Sequence, residues 1–397
     1  SATGHTYPEA HERLLQLLDD GLLMVNYTGH SSSSQWAHER VLAQSDIENL
    51  TNSRLALWIT ASCDFTRFDN IQTSAGETAL LNPDGGAIAL FTTSRTTYAS
   101  SNNSLNNHLL QHLFDRDENG ERLRLGDIMR LSKRAIGSNL NKLNFSLIGD
   151  PALTLAYPER EMIVETFAGT DMTDDYADEP QIAAGGRITV SGYVLDENGT
   201  VDETFTGLVY PTVYDSPNQM RTLDNVGAGA FEYTERNKVL YSGMDSVRAG
   251  RFEFTFPVPL DINYSNEGGL LNLYALNPET HVEGTSAFSR FTVGGTVDGL
   301  ELTDSIGPSM SIYLNSPQFQ SGDQTNETPY FIAELEDSIG INTVGNGVGH
   351  NLTLCIDGSA SLTYNLNNYY TPVLGDYTRG TVGFSIPELS AGTHTLT

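Results

Sequence analysis

Three short, continuous apolar runs within the first 157 residues constrain this chain more than any other feature. They are Leu22–Tyr27 (LLMVNY), Leu55–Thr60 (LALWIT) and Gly86–Thr92 (GAIALFT). Runs of this kind read as strands covered on both faces, as in a sheet packed between helices. The stretches between them supply the helices. Glu9–Asp20 carries apolar residues at helical spacing and is stopped by Gly21, and Asp46–Leu50 reads as a capped helical turn. Ser104–Phe114 and Gly126–Ile136 read as amphipathic helices. Residues 1–157 are therefore expected to form a mostly parallel α/β domain.

The pattern changes after Pro158. Arg187–Val194, Leu208–Val213, Arg251–Val258, Leu270–Leu276 and Ser289–Val293 alternate with period two, and Gly, Asn and Asp mark turns between them. This reads as an antiparallel β-sandwich of the Ig-like kind over 158–295. A second sandwich is expected over 296–397, with strands near Ser311–Leu314, Tyr330–Leu335, Leu352–Ile356 and Thr381–Ile386. A chain of 397 residues exceeds one core, which agrees with this count. The Asp174–Glu179 cluster reads as a solvated linker. The Ser1-Ala-Thr-Gly4 start and an end that stops inside a strand-like pattern read as the bounds of a piece of something larger.

Charge narrows the function. Against 21 basic residues stand 50 acidic ones, a net charge of −29. A surface this acidic repels nucleic acid and anionic headgroups, so no nucleic-acid partner is expected. It suits a secreted or surface-exposed protein. No run of roughly 18 apolar residues is present, so no transmembrane helix is expected.

Two of the apolar runs lead into chemistry. Leu22–Tyr27 runs into Thr28-Gly29-His30-Ser31, and Leu55–Thr60 runs into Ala61-Ser62-Cys63-Asp64. In open α/β sheets, functional groups collect where loops leave the carboxyl ends of neighbouring strands. If the strands are adjacent, an imidazole at one exit can take the thiol proton at the other, and the thiolate is the attacking species. Taken singly, a buried cysteine is usually an inert small hydrophobe, and a loop histidine is usually just solvated. The matched placement makes the pair the leading candidate. Cys355 lies inside a β run and reads as packing; no disulfide with Cys63 and no zinc spacing is expected.

Weaker candidates remain. His108 and His112 have i, i+4 metal spacing, but Leu109 stands where a zinc protease carries Glu, and no third ligand is evident. Asp115, Asp117 and Asn119, followed by Gly120, copy the start of a calcium loop, although its twelfth position is Gly126. A polar turn is the preferred reading, so no cofactor is required and calcium is the one ion the pattern would suit. Asp64, Asp69 and Glu77 lie close enough in sequence to orient His30, or are surface charges.

Beyond these two exits, the pattern resembles the caspase-like cysteine peptidases, and more fully the gingipain family. The matching segments are Asn26-Tyr-Thr-Gly-His30, Trp36, residues 45–69, Gly76-Glu77, Gly85-Gly-Ala-Ile-Ala89 and Leu147–Leu153. Asp337–Thr343 and Gly345–His350 resemble segments of the gingipain-related sortases of type IX secretion. The resemblance implies His30 as general base, Cys63 as nucleophile, and the N–H groups of Ser31 or Cys63 as oxyanion donors. Glycine normally follows the histidine, and Ser31 is expected to bear the cost of a positive φ there. The acidic residue that supports the histidine, and much of the pocket, would come from a preceding subdomain, leaving half a site here. The implied substrates are exported proteins with C-terminal secretion signals, passed to surface lipopolysaccharide. The implied partners are outer-membrane secretion components, at a bacterial cell surface or in secreted form. An ordinary secreted endopeptidase and a non-catalytic binding or adhesion module are the alternatives.

Overall fold

The computed structural model describes residues 6–224, 227, 229–299, 307–341 and 351–397. Two compact units divide at Tyr157/Pro158. Gly345–His350 and the end of Asp337–Thr343, which carry part of the resemblance, lie outside the described residues.

In the first unit, helix α1 (Pro8–Asp20) ends at Gly21, whose φ of 93° suits glycine best, and is followed by strand β1 (Met24–Thr28). Next come α2 (Gln44–Glu48), β2 (Ala56–Ala61), α3 (Ala75–Leu81), β3 (Ala87–Thr93), α4 (Ala99–Leu113), α5 (Leu125–Ala135) and β4 (Phe145–Ile148). The sheet order is β1-β2-β3-β4; the first three strands are parallel and β4 runs antiparallel. Along β2, side chains alternate between two cores. Trp58 packs with Leu18, Ile47 and Ala79 on one side, while Leu57 and Ile59 pack with Leu105, Leu109 and Ile128 on the other. Burying each such side chain contributes roughly 1.5–3 kcal/mol, which is why the central runs are uninterrupted.

β2 is buried throughout, as its sequence predicts. β1 is not: it forms an edge of this sheet, with Asn26 and Thr28 exposed and Met24, Val25 and Tyr27 half-buried. The expectation of a strand covered on both faces is corrected here, because an apolar run encodes burial but not the number of neighbouring strands.

The second unit departs further from expectation. Its principal strands up to residue 288 are β5 (Arg160–Phe167), β6 (Arg187–Val194), β7 (Gly207–Tyr214), β8 (Asp245–Arg248), β9 (Arg251–Pro257), β10 (Leu270–Leu276) and β11 (Glu283–Phe288). The hydrogen-bonded path runs β6-β9-β8-β7-β10-β11-β5 and returns from β5 to β6, so seven strands close on themselves. The region is a barrel, where two facing Ig-like sheets were expected. Alternation with period two reports one buried face per strand and is the same for either architecture. Closure depends on β5, which pairs antiparallel with β6 and parallel with β11. At that seam the register shifts between Ser191 and Gly192, and a Cβ on Gly192 would lie 2.1 Å from the Ile163 carbonyl oxygen. Only glycine permits so close an approach. Val190, Val209, Val247, Phe254, Phe256 and Leu273 fill the interior.

The same unit continues with β12 (Ser309–Leu314), β13 (Tyr330–Glu336), a hairpin of β14 (Thr353–Cys355) and β15 (Thr363–Asn365), β16 (Tyr370–Val373) and β17 (Asp376–Ser385). An antiparallel sheet in the order β12-β13-β17-β16 shares one core with the hairpin through Phe331, Leu354, Ile356 and Phe384. Gly375 N–H donates to the Met244 carbonyl at 3.0 Å, tying this sheet to the barrel.

Candidate active site

The parallel register of β1 and β2 aligns Thr28 with Ala61. His30 and Cys63 each stand two residues beyond those partners, so the two exits leave the same edge of the sheet in step. Gly29 N–H donates to the Ala61 carbonyl at 3.4 Å, and the Ser31 hydroxyl donates to the Cys63 carbonyl at 2.5 Å. Ser31 therefore joins the two exits through a group that glycine lacks. Its expected positive φ is not found: Ser31 forms a β-bridge with Trp36, and the left-handed residues nearby are Ala37, with φ 59°, and Asp64, with φ 55°.

Aromatic packing fixes the histidine loop. The Tyr27 ring stacks on Trp36 at 4.6 Å and 5°, and Trp36 leans on Trp58 and Phe65. Burial pushes the Tyr27 phenol up, so it stays protonated and donates to the His30 carbonyl at 2.6 Å. Ala37 N–H donates to the same oxygen at 2.9 Å. With its backbone held from two sides, His30 leaves its imidazole exposed.

The three acids near the pair are committed elsewhere. Asp69 binds Arg95 in a two-point ion pair, which holds the Asp69 carboxyl below its ordinary range. Glu77 accepts the Ser74 N–H at 2.8 Å and hydroxyl at 2.6 Å, capping α3. Asp64 accepts the Thr96 hydroxyl at 3.3 Å.

A third exit, not anticipated from the sequence, completes the surroundings of the thiol. Thr97, four residues past β3, donates its N–H to Cys63 Sγ at 3.4 Å, and the thiol reaches back to the Thr97 carbonyl at 3.6 Å. The hydroxyls of Thr93 and Thr97 both donate to the Ser62 carbonyl, at 2.5 and 3.0 Å. The signal was available: Gly86–Thr92 is a third apolar run, and the strand-exit rule that singled out His30 and Cys63 applies equally to the residues after it.

The metal candidates have local explanations. His112 Nδ1 meets Asp115 at 2.7 Å and His108 Nδ1 meets Gln111 at 3.1 Å. Asp117 Oδ1 accepts the N–H groups of Glu121 and Asn119 at 2.9 and 2.8 Å; these bonds hold its carboxyl low and close the loop around Gly120. Among the described residues, no cluster of three or more His, Cys, Asp or Glu is arranged to hold a metal ion.

A helix-covered, mostly parallel sheet, with a histidine and a cysteine on register-matched exits, has the form of a cysteine-peptidase domain. Residues 1–156 match the model described as Peptidase family C25, and the chain carries a domain of that family. No curated protein sequence matches the chain. Among solved structures, dimeric latent PorU from Porphyromonas gingivalis is 35% identical over 79% of this chain and 30% of its own, with a TM-score of 0.41. The complex of P. gingivalis RgpB pro- and mature domains is 16% identical over 74% of this chain and 58% of its own, with a TM-score of 0.35. The Arg-specific proteinase gingipain R (RgpB) gives the same identity and score and is covered over 57%. The chain thus spans less than two thirds of each of these relatives.

Proposed function

We propose that this chain carries base and nucleophile of a surface cysteine peptidase of sortase type, with His30 and Cys63 as the pair. The observation that carries the proposal is the register match of their two exits within a family C25 domain. His30 takes the thiol proton and the Cys63 thiolate attacks the scissile carbonyl. The N–H groups of Ser31 or Cys63 face the developing oxyanion. As the C–N bond breaks, His30 returns the proton to the leaving amine and a thioester remains on Cys63. An amine on surface lipopolysaccharide then displaces the thiolate, forming an amide, or water resolves it to the acid. The substrates are exported proteins with a C-terminal signal, which the resemblance at Asp337–Thr343 supports. The second unit serves to dock substrate or outer-membrane secretion components.

The test offers the full-length protein an exported substrate with its C-terminal signal, beside generic peptides. Release of the signal is expected, with a thioester on Cys63 visible by mass, and both Cys63→Ala and His30→Ala abolish release. Rapid cutting of generic peptides with the signal ignored would instead identify an ordinary endopeptidase. Function untouched by Cys63→Ala would leave a binding module.

A further inference from the structure

Three buried polar side chains lie just behind the thiol. Thr97, Asn102 and Asn141 are 8%, 5% and 8% exposed. Buried amides and hydroxyls are costly unless hydrogen-bonded, and asparagine is a poor helix former, yet Asn102 sits inside α4. Their hydrogen bonds converge on one segment. Asn102 Nδ2 donates to Thr97 Oγ1 at 2.8 Å, and that hydroxyl donates to the Ser62 carbonyl. Asn141 Oδ1 accepts the Tyr98 N–H at 3.0 Å, and Asn141 Nδ2 reaches Asn102 Oδ1 at 3.4 Å. Thr97 is thus fixed at its side chain and at the following peptide, and its own N–H is left aimed at Cys63 Sγ.

We propose that Thr97, locked by Asn102 and Asn141, is a positioning residue for Cys63: it sets the orientation of the thiol and donates its N–H to the thiolate once the proton has left. Charge-assisted hydrogen bonds to an anion are stronger than neutral ones, so the contact tightens as the nucleophile forms. The inference deepens the reading of Cys63 as nucleophile and rests on it.

The test uses the chain with Cys355→Ser, so that Cys63 is the single thiol, and measures its alkylation by iodoacetamide at pH 7. Thr97→Val keeps the shape and removes the hydroxyl, whereas Thr97→Ser keeps the hydroxyl. Thr97→Val is expected to slow alkylation by about tenfold, the equivalent of about 1.4 kcal/mol. Thr97→Ser should retain the parent rate, even though loss of the buried methyl lowers its thermal midpoint. Asn102→Ala, in a helix that tolerates alanine, should follow Thr97→Val and stands in if that variant misfolds. Parent-like alkylation in Thr97→Val and Asn102→Ala overturns the proposal, as does a loss in Thr97→Ser as large as in Thr97→Val. Failure of the nucleophile reading is distinguishable. In that case parent Cys63 reacts no faster than the same thiol in the denatured chain, whatever the ratio between variants.

Discussion

The two cysteines mark the contrast between the two units. Both are half-buried, so exposure does not separate them. Cys63 stands in a loop past a buried parallel strand, with a backbone N–H on its sulfur. Cys355 ends β14, and its thiol turns to the Ser359 carbonyl four residues on, at 3.8 Å. The difference is topological. Parallel strands all leave a sheet at one edge, so side chains from remote parts of the sequence converge there. Neighbouring antiparallel strands leave at opposite ends, and their polar groups are absorbed in joining them. Asp215 shows this: it is fully buried, accepts the N–H groups of Ser216 and Asn263, and is pushed up by burial.

The strongest way to break this contrast is to attack the barrel, where side chains serve packing. Phe256 is fully buried and stacks on Tyr241 at 5.2 Å. Phe256→Ala should cost about 3–5 kcal/mol, read from the denaturant midpoint of the second unit. A loss near that of a surface change would mean the seven strands do not enclose a packed interior.

At the parallel edge, smaller effects carry more information. Glu77→Ala removes the carboxylate that caps α3 and should cost about 0.5–2 kcal/mol in the first unit's stability. If that variant kept full stability but lost activity dependent on His30, Glu77 would be the supporting acid and its capping role incidental. Ser31→Ala deletes the hydroxyl linking the two exits, at about 0.5–1.5 kcal/mol. A thermal midpoint indistinguishable from the parent would show that the exits are held together without it.

How much of this was legible varies with the range of the interaction. Helices α1, α2, α4 and α5 and the β2 run were readable because period and burial are local properties, whereas the short α3 carries too few turns for its period to show. The positions of His30 and Cys63 were readable for the same reason, each sitting two residues past an apolar strand. β5 was missed, and with it barrel closure, because no local pattern records that one strand will pair with two distant ones. The backbone of Ser31 was not legible, because the family's glycine at that position implies a positive φ that the serine does not adopt. The serine instead contributes its side chain, to a carbonyl 32 residues away. Thr97 was overlooked because neither its type nor its neighbours carry reactive chemistry; its role lies in a backbone N–H.

The smallest expected effect lies in the second unit, where a histidine plays a structural part that His30 does not. His394 donates from Nε2 to the Ser390 carbonyl at 2.8 Å and from Nδ1 to Asp357 at 2.7 Å, holding the chain end where Thr397 pairs with Cys355. The Ser390 carbonyl, then Asp357, raises the proton affinity of His394 above the ordinary value of 6.5. Asp357 is lowered from 3.8, chiefly by His394. A raised folded value means the histidine's contribution is complete below 6.5 and is lost as pH climbs through that raised value. A lowered carboxyl means the aspartate's contribution is complete above 3.8 and is lost as pH falls through the lowered value. The clasp should therefore be tightest between the two ordinary values. Amide exchange at Cys355 and Thr397 should be best protected there, after correction for intrinsic pH dependence, and protection should fall as pH climbs above 6.5 through the raised histidine value. His394→Gln should flatten the alkaline limb. Protection that rose steadily through neutral pH would show that the chain end is held by its backbone pairing alone.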